Sequence, residues 1–166
     1  MIEAQRREAP VFIISLTRAT ERELRYAIIG QLMKRIREFA EKYDTDGDPE
    51  AIERDVFLDF AAGTGGYHIM VALKDLEVVG HLLSRSMVYF GRHYVYVQQL
   101  EIDHGAGVTL EQERQAFKTI RQWQKSIGAI GVRAVAPTPA HVRRLRMLHG
   151  SHGTTLTTVK LGEDNG

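Results

Sequence analysis

The stretch LEIDHGAGVTLEQE (100–113) leaves an apolar strand, passes two glycines and enters a helix. Thr109 stands at the N-cap position with Gln112 three residues on, so a capping box closes the helix start. Strand, glycine turn and helix N-terminus is also the geometry that cradles a phosphate, because free amides and the helix dipole favour an anion there. Two readings stay open: a pyrophosphate cradle on the amides of residues 107–111, or an ordinary β–α turn. The cap at Thr109 and the charge of Glu111 compete with a bound anion.

Upstream, YHIMVALKD (67–75), EVVGHLLSRSMVYF (77–90) and HYVYVQQLEID (93–103) are three strands with links short enough for hairpins, an antiparallel meander. Strict alternation along the last puts Val97, Gln99, Glu101 and Asp103 on one face, and Tyr96, Gln98, Leu100 and Ile102 on the other. Before the meander, VFIISLT (11–17) is a strand and residues 20–43 a long helix striped by Leu24, Ile28, Leu32, Ile36 and Phe39. Thr20 and Glu23 have capping-box spacing. Asp48 and Pro49 suit the N-cap and first position of a second helix, which GTGG (63–66) ends.

Downstream, Phe117, Ile120, Trp123 and Ile127 line the helix that Thr109 opens. A strand (131–137), a short basic helix (139–150) and a last strand (154–162) follow. The order is β-α-α-β-β-β-α-β-α-β. It predicts an α/β (α+β) fold with a mixed, mostly antiparallel sheet and helices on both faces.

The 166 residues suit a single domain able to bury roughly 70% of its unfolded surface. No cysteine is present, which excludes disulfides, thiolate zinc sites and a thiol nucleophile. The charged start MIEAQRREAP is unlike a signal peptide, and no apolar run approaches the roughly 18 residues of a membrane span. A cytoplasmic protein is expected. A net charge of +1 gives no electrostatic case for nucleic acid or a membrane surface.

The element order resembles the GNAT superfamily of N-acetyltransferases over about residues 11 to 162. LKDLEVVGHLL resembles the family's charged hairpin, valine and glycine. YVYVQQLEID resembles its central strand, AFKTIRQWQKSIGAIGVRAVA the helix and strand behind the cofactor, and HVRRLRMLHGSHGTTLTTVKL the terminal helix, glycine and strand. Divergent GNAT-like proteins of bacteriophages are the nearest in character. The resemblance implies acetyl-CoA as cofactor and an amine-bearing small molecule or protein as acceptor. It implies that Leu100 and Ile102 flank the pantetheine arm and that Gly107, Val108, Thr109, Leu110 and Glu111 hold the pyrophosphate.

Glu101, near the end of the central strand, is the candidate base, and burial beside a cleft would raise its pKa; the alternative is a solvent-facing strand residue. His81, after Gly80, reaches the cleft or is simply a packed or exposed strand residue. The chain also departs from the family. Ile102 stands where the signature has Gln or Arg, two residues separate the glycines from the helix, and Arg146 replaces the tyrosine that protonates the leaving thiolate. A second reading is therefore a catalytically degenerate fold serving as a binding or structural component, for example in a phage particle, which would make it virion-associated. Its partner would be a second copy or a phage protein. Phage modification of a nucleic-acid base is a third. The arginines 143, 144 and 146 could meet a polyanion or form the solvated face of a helix. No metal site is expected: the acidic run 44–55 lacks the glycine and glutamate of a calcium loop, and of His141, His149 and His152 only the last two have a ligand-like spacing, with Gly150 between them.

Overall fold

The computed structural model describes residues 9–17, 20–43, 47–134, 138–140 and 143. The helix and strand expected beyond residue 139 fall almost wholly outside these residues, as do Asp44, Asp46, His141, Arg144, Arg146, His149 and His152. The described elements are β1 (Phe12–Leu16), α1 (Arg22–Tyr43), α2 (Pro49–Ala62), β2 (Tyr67–Lys74), β3 (Glu77–Tyr89), β4 (Arg92–Ile102), α3 (Leu110–Ser126) and β5 (Val132–Ala134). The strands lie in chain order across one sheet. The first four are antiparallel, and β5 joins β4 in parallel through the α3 crossover.

Both hairpin links are two residues long and use positive φ at each position: Asp75 and Leu76, then Phe90 and Gly91. That backbone matches the twist of the flanking strands. At the second tip Val88 and Phe90 are 69% and 88% exposed.

Helices cover both faces. On one, Ile28, Leu32 and Ile36 of α1 pack with Val56 of α2 against Val71 and Leu83. Each such side chain gains about 1.5–3 kcal/mol by leaving water. On the other, Phe117 and Ile120 of α3 pack against Leu82, Val95 and Val97. Asp48 caps α2 by accepting from the Glu50 amide, and Gly63 ends it in the left-handed region. The capping box expected at Thr20 does not form. The Thr20 hydroxyl accepts instead from the Thr17 amide at 2.9 Å, closing a turn, and the helix starts at Arg22.

The alternation expected along β4 is also corrected. Leu83 pairs with Gln99 and Ser84 with Val97, so Gln98 is an extra residue, a β-bulge. It resets the phase. Val97 and Leu100 both face α3, while Gln99, Glu101 and Asp103 face α1.

Gly80 lies opposite Ile102 just below this point. A Cβ there would stand 2.9 Å from the Glu101 carbonyl oxygen and 3.2 Å from Ile102 Cγ1. Gly80→Ala is expected to cost about 1–3 kcal/mol by prising β3 from β4. Urea unfolding measures it; an unchanged midpoint would mean that the strands yield freely.

Candidate active site

Four side chains converge on the lower end of β4. Arg35 reaches over from α1 with a two-pronged grip on Asp103, Nη2 to Oδ1 at 2.6 Å and Nη1 to Oδ2 at 3.1 Å. Nη1 also donates to the Val78 carbonyl at 3.2 Å, tying α1 to β3. Nη2 stands 3.4 Å from Glu101 Oε2, the weaker contact of the set. Burial pulls the Arg35 guanidinium down, but the bond to Asp103 and the charges of Asp103, Glu101 and Glu38 outweigh it and hold the group above its ordinary value.

Glu101 pairs across the strands with His81. Its side chain is 32% exposed, so the carboxylate is half-buried and open to one side, not sunk in a cleft. His81 is enclosed: its side chain is fully buried, with Phe39 edge-on at 6.0 Å. Nε2 lies 2.8 Å from Gln99 Oε1, and Nδ1 lies 3.8 Å from Glu101 Oε2. Burial lowers the imidazole to about 4; the Gln99 bond and Asp103 oppose this and the Arg35 charge adds to it. At neutral pH the ring is uncharged.

The turn beyond β4 uses both glycines in the left-handed region, Gly105 at φ 74° and Gly107 at φ 88°. The backbone needs glycine there whether or not an anion binds. Thr109 is the N-cap as expected. Its hydroxyl accepts from the Gln112 amide at 3.2 Å, and its own amide donates to Gln112 Oε1 at 2.9 Å. Gln112 Nε2 then donates to the Val11 carbonyl at 2.8 Å, which pins this end of α3 to the residue just before β1. The amides of Leu110 and Glu111 have no acceptor among the described residues.

The structure thus gathers Gly107 to Glu111 at the helix start. Val108 packs inward beside Ala106, Leu110 is 39% exposed, and the Glu111 carboxylate faces Arg114 at 3.9 Å. Leu100 packs with the α3 cluster and Ile102 with Val11, Ala72 and Val79. Between sheet and α3 lies a cavity of about 30 Å³ lined by Leu100, Ile102, Glu113 and Phe117, with room for about one water. A larger one, about 340 Å³, lies away from Glu101, beside Leu16, Phe60 and Tyr67.

The described pairing of β5 with β4 covers only Val95–Val97. Beyond the bulge, β4 residues 99–102 pair with β3 on one edge, and their other edge has no strand partner among the described residues. No group of three potential metal ligands occurs among those residues, and no described helix is long and apolar enough to cross a membrane.

The fold recurs in solved structures. A "probable acetyltransferase" superposes with a TM-score of 0.59 at 11% identity, over 86% of this chain and 91% of its own. The chain has a GNAT-like fold. An aminoglycoside acetyltransferase, meta-AAC0020 from an uncultured soil metagenomic sample, in complex with sisomicin, gives a TM-score of 0.56 at 15% identity over 90% and 93% of the two chains. The ribosomal-protein-alanine N-acetyltransferase of Brucella melitensis biovar Abortus 2308 gives 0.55 at 13% identity over 90% and 96%. No protein-family profile matches the sequence, and no curated protein matches it.

Arg35 has a signature of its own in the sequence. Leu32, Arg35 and Phe39 share a helix face, and a basic residue on an apolar stripe calls for a carboxylate on the surface it meets.

Proposed function

We propose that this chain is an acyltransferase that moves an acetyl group from acetyl-CoA to an amine, with Glu101 as general base. One juxtaposition carries the reading. The half-open Glu101 carboxylate sits on the segment of β4 whose second backbone edge has no strand partner among the described residues. A pantetheine arm pairs with such an edge as an added strand would. In this reading the backbone of Leu100 and Ile102 lies beside that arm, and the free amides of Leu110 and Glu111, with Gly107, Val108 and Thr109, hold the pyrophosphate. When bound, acetyl-CoA supplies an acyl carbon activated as a thioester. Glu101 takes the proton that the acceptor nitrogen must lose, and Arg35, locked on Asp103, keeps the carboxylate in place. The C-terminal half of α1 and the start of α2 flank the acceptor, an amine-bearing small molecule or protein.

Calorimetric titration with acetyl-CoA tests this. Saturable heat below millimolar ligand is expected; none up to millimolar overturns it. A second reading has its own support. The capping box already satisfies part of the helix start, and Val88 and Phe90 project from the β3–β4 tip. These suit a GNAT-like binding component, in a phage particle or elsewhere, whose partner is a second copy or another protein. That reading predicts no acetyl-CoA heat and tight association through the tip.

A further inference from the structure

The hydrogen bonds around His81 form a chain whose direction can be worked out from one end. Gln99 Nε2 donates to the Ile36 carbonyl at 3.1 Å. A carbonyl only accepts, so the nitrogen of the Gln99 amide points to α1 and its oxygen points to His81. That oxygen also only accepts, so the hydrogen in the 2.8 Å contact belongs to His81 Nε2. A neutral imidazole carries one ring hydrogen. With Nε2 protonated, Nδ1 is a bare lone pair. It is buried, it has no hydrogen-bond partner, and Glu101 Oε2 stands 3.8 Å away.

An ionised carboxylate cannot satisfy that lone pair. A protonated one can, after closing about 1 Å to normal hydrogen-bond length. We propose that His81 is a positioning residue for Glu101, its Nδ1 accepting a hydrogen bond from the Glu101 carboxyl whenever that carboxyl holds the acceptor's proton. This rests on Glu101 being the base.

The step balances without a co-reactant. The nitrogen–hydrogen bond of the acceptor breaks, an oxygen–hydrogen bond forms on Glu101, and the new hydroxyl turns to Nδ1. The proton stays on the oxygen. His81 is faced by Arg35 and Phe39 from α1, by Gln99 and Glu101 on β4, and by Asp103 just beyond it. Lys42, near the end of α1, adds a positive charge that Glu101 feels. Burial and the Arg35 charge disfavour an imidazolium at His81. The ring therefore receives a hydrogen bond and not a charge, and Glu101 is left free to release the proton to water.

Two measurements on the full chain test this. The first needs no turnover. A two-bond proton–nitrogen correlation spectrum at neutral pH reads the tautomer of each histidine, and the His81 signals are those lost in His81→Asn. An Nε2-protonated, Nδ1-bare ring is expected. An Nδ1-protonated ring or an imidazolium overturns this positioning role and leaves Glu101 as base. The second is the pH profile of kcat. His81→Leu is expected to lose about tenfold, one neutral hydrogen bond, with the acceptor KM unchanged and the acidic limb displaced. His81→Asn, which places an amide oxygen near the Nδ1 position, is expected to recover part of the loss. A His81→Leu profile that superposes on wild type overturns the positioning role of His81. A wild-type chain that binds acetyl-CoA but turns over no amine overturns the Glu101 reading, and that role with it.

Discussion

Replacing Glu101 with glutamine is expected to lower acetyl transfer by about 10²–10⁴-fold, the usual worth of a positioned general base. Acetyl-CoA binding should be unchanged, because the proposed cofactor contacts are backbone atoms of β4 and of the α3 start. The fold should survive, since the grip of Arg35 on Asp103 does not involve Glu101. Stability should if anything rise. The new amide can donate to His81 Nδ1, which has no hydrogen-bond partner in the wild-type chain. Turnover, calorimetry and urea unfolding on one preparation separate these effects. Retained turnover with retained cofactor binding would put the base elsewhere. Lost cofactor binding would mean that the carboxylate shapes the cleft.

The sheet and its crossover were legible because the sequence repeats its pattern at several scales. Three apolar runs with links short enough for hairpins predict a meander, and a capped amphipathic helix between strands predicts a parallel neighbour. The bulge was written there too, in a form strict alternation hides. Apolar residues occupy 95 and 97, then 100 and 102, and the phase slips across Gln98–Gln99. Two polar residues in the middle of an apolar strand are a reason to test for a slip. The turn was legible as a strand-to-helix junction and ambiguous as a ligand site, because positive φ alone calls for Gly105 and Gly107. The site's electrostatics were not legible. Arg35 and Glu101 are 66 residues apart and meet only because α1 crosses the lower ends of β3 and β4. Glu101 is legible from its place on the central strand, whereas the arrangement of His81 and Gln99 depends on their burial and shared hydrogen bond, which no local pattern encodes.

Acid is expected to unfold this protein earlier than its carboxylates alone would require. His81 titrates near 4 in the folded chain and near its ordinary 6.5 when unfolded. Between those values the unfolded state holds the extra proton, so stability rises with pH there. The contribution of the neutral ring is complete above pH 6.5, declines as pH falls towards 4, and is gone below it. Over that window it amounts to about 3 kcal/mol at 1.36 kcal/mol per unit. His68, half-buried beside Trp123 and also lowered by burial, acts in the same direction. Carboxylates that protonate nearby change the same curve, so the test is a difference. Urea unfolding of wild type and His81→Gln is compared at neutral pH and near pH 4. Glutamine removes the titrating ring and can still donate to Gln99, so the gap between the two proteins should shift in favour of the variant by about 3 kcal/mol as pH falls. A gap independent of pH would mean that acid opens the α1–sheet contact around His81 before the protein unfolds.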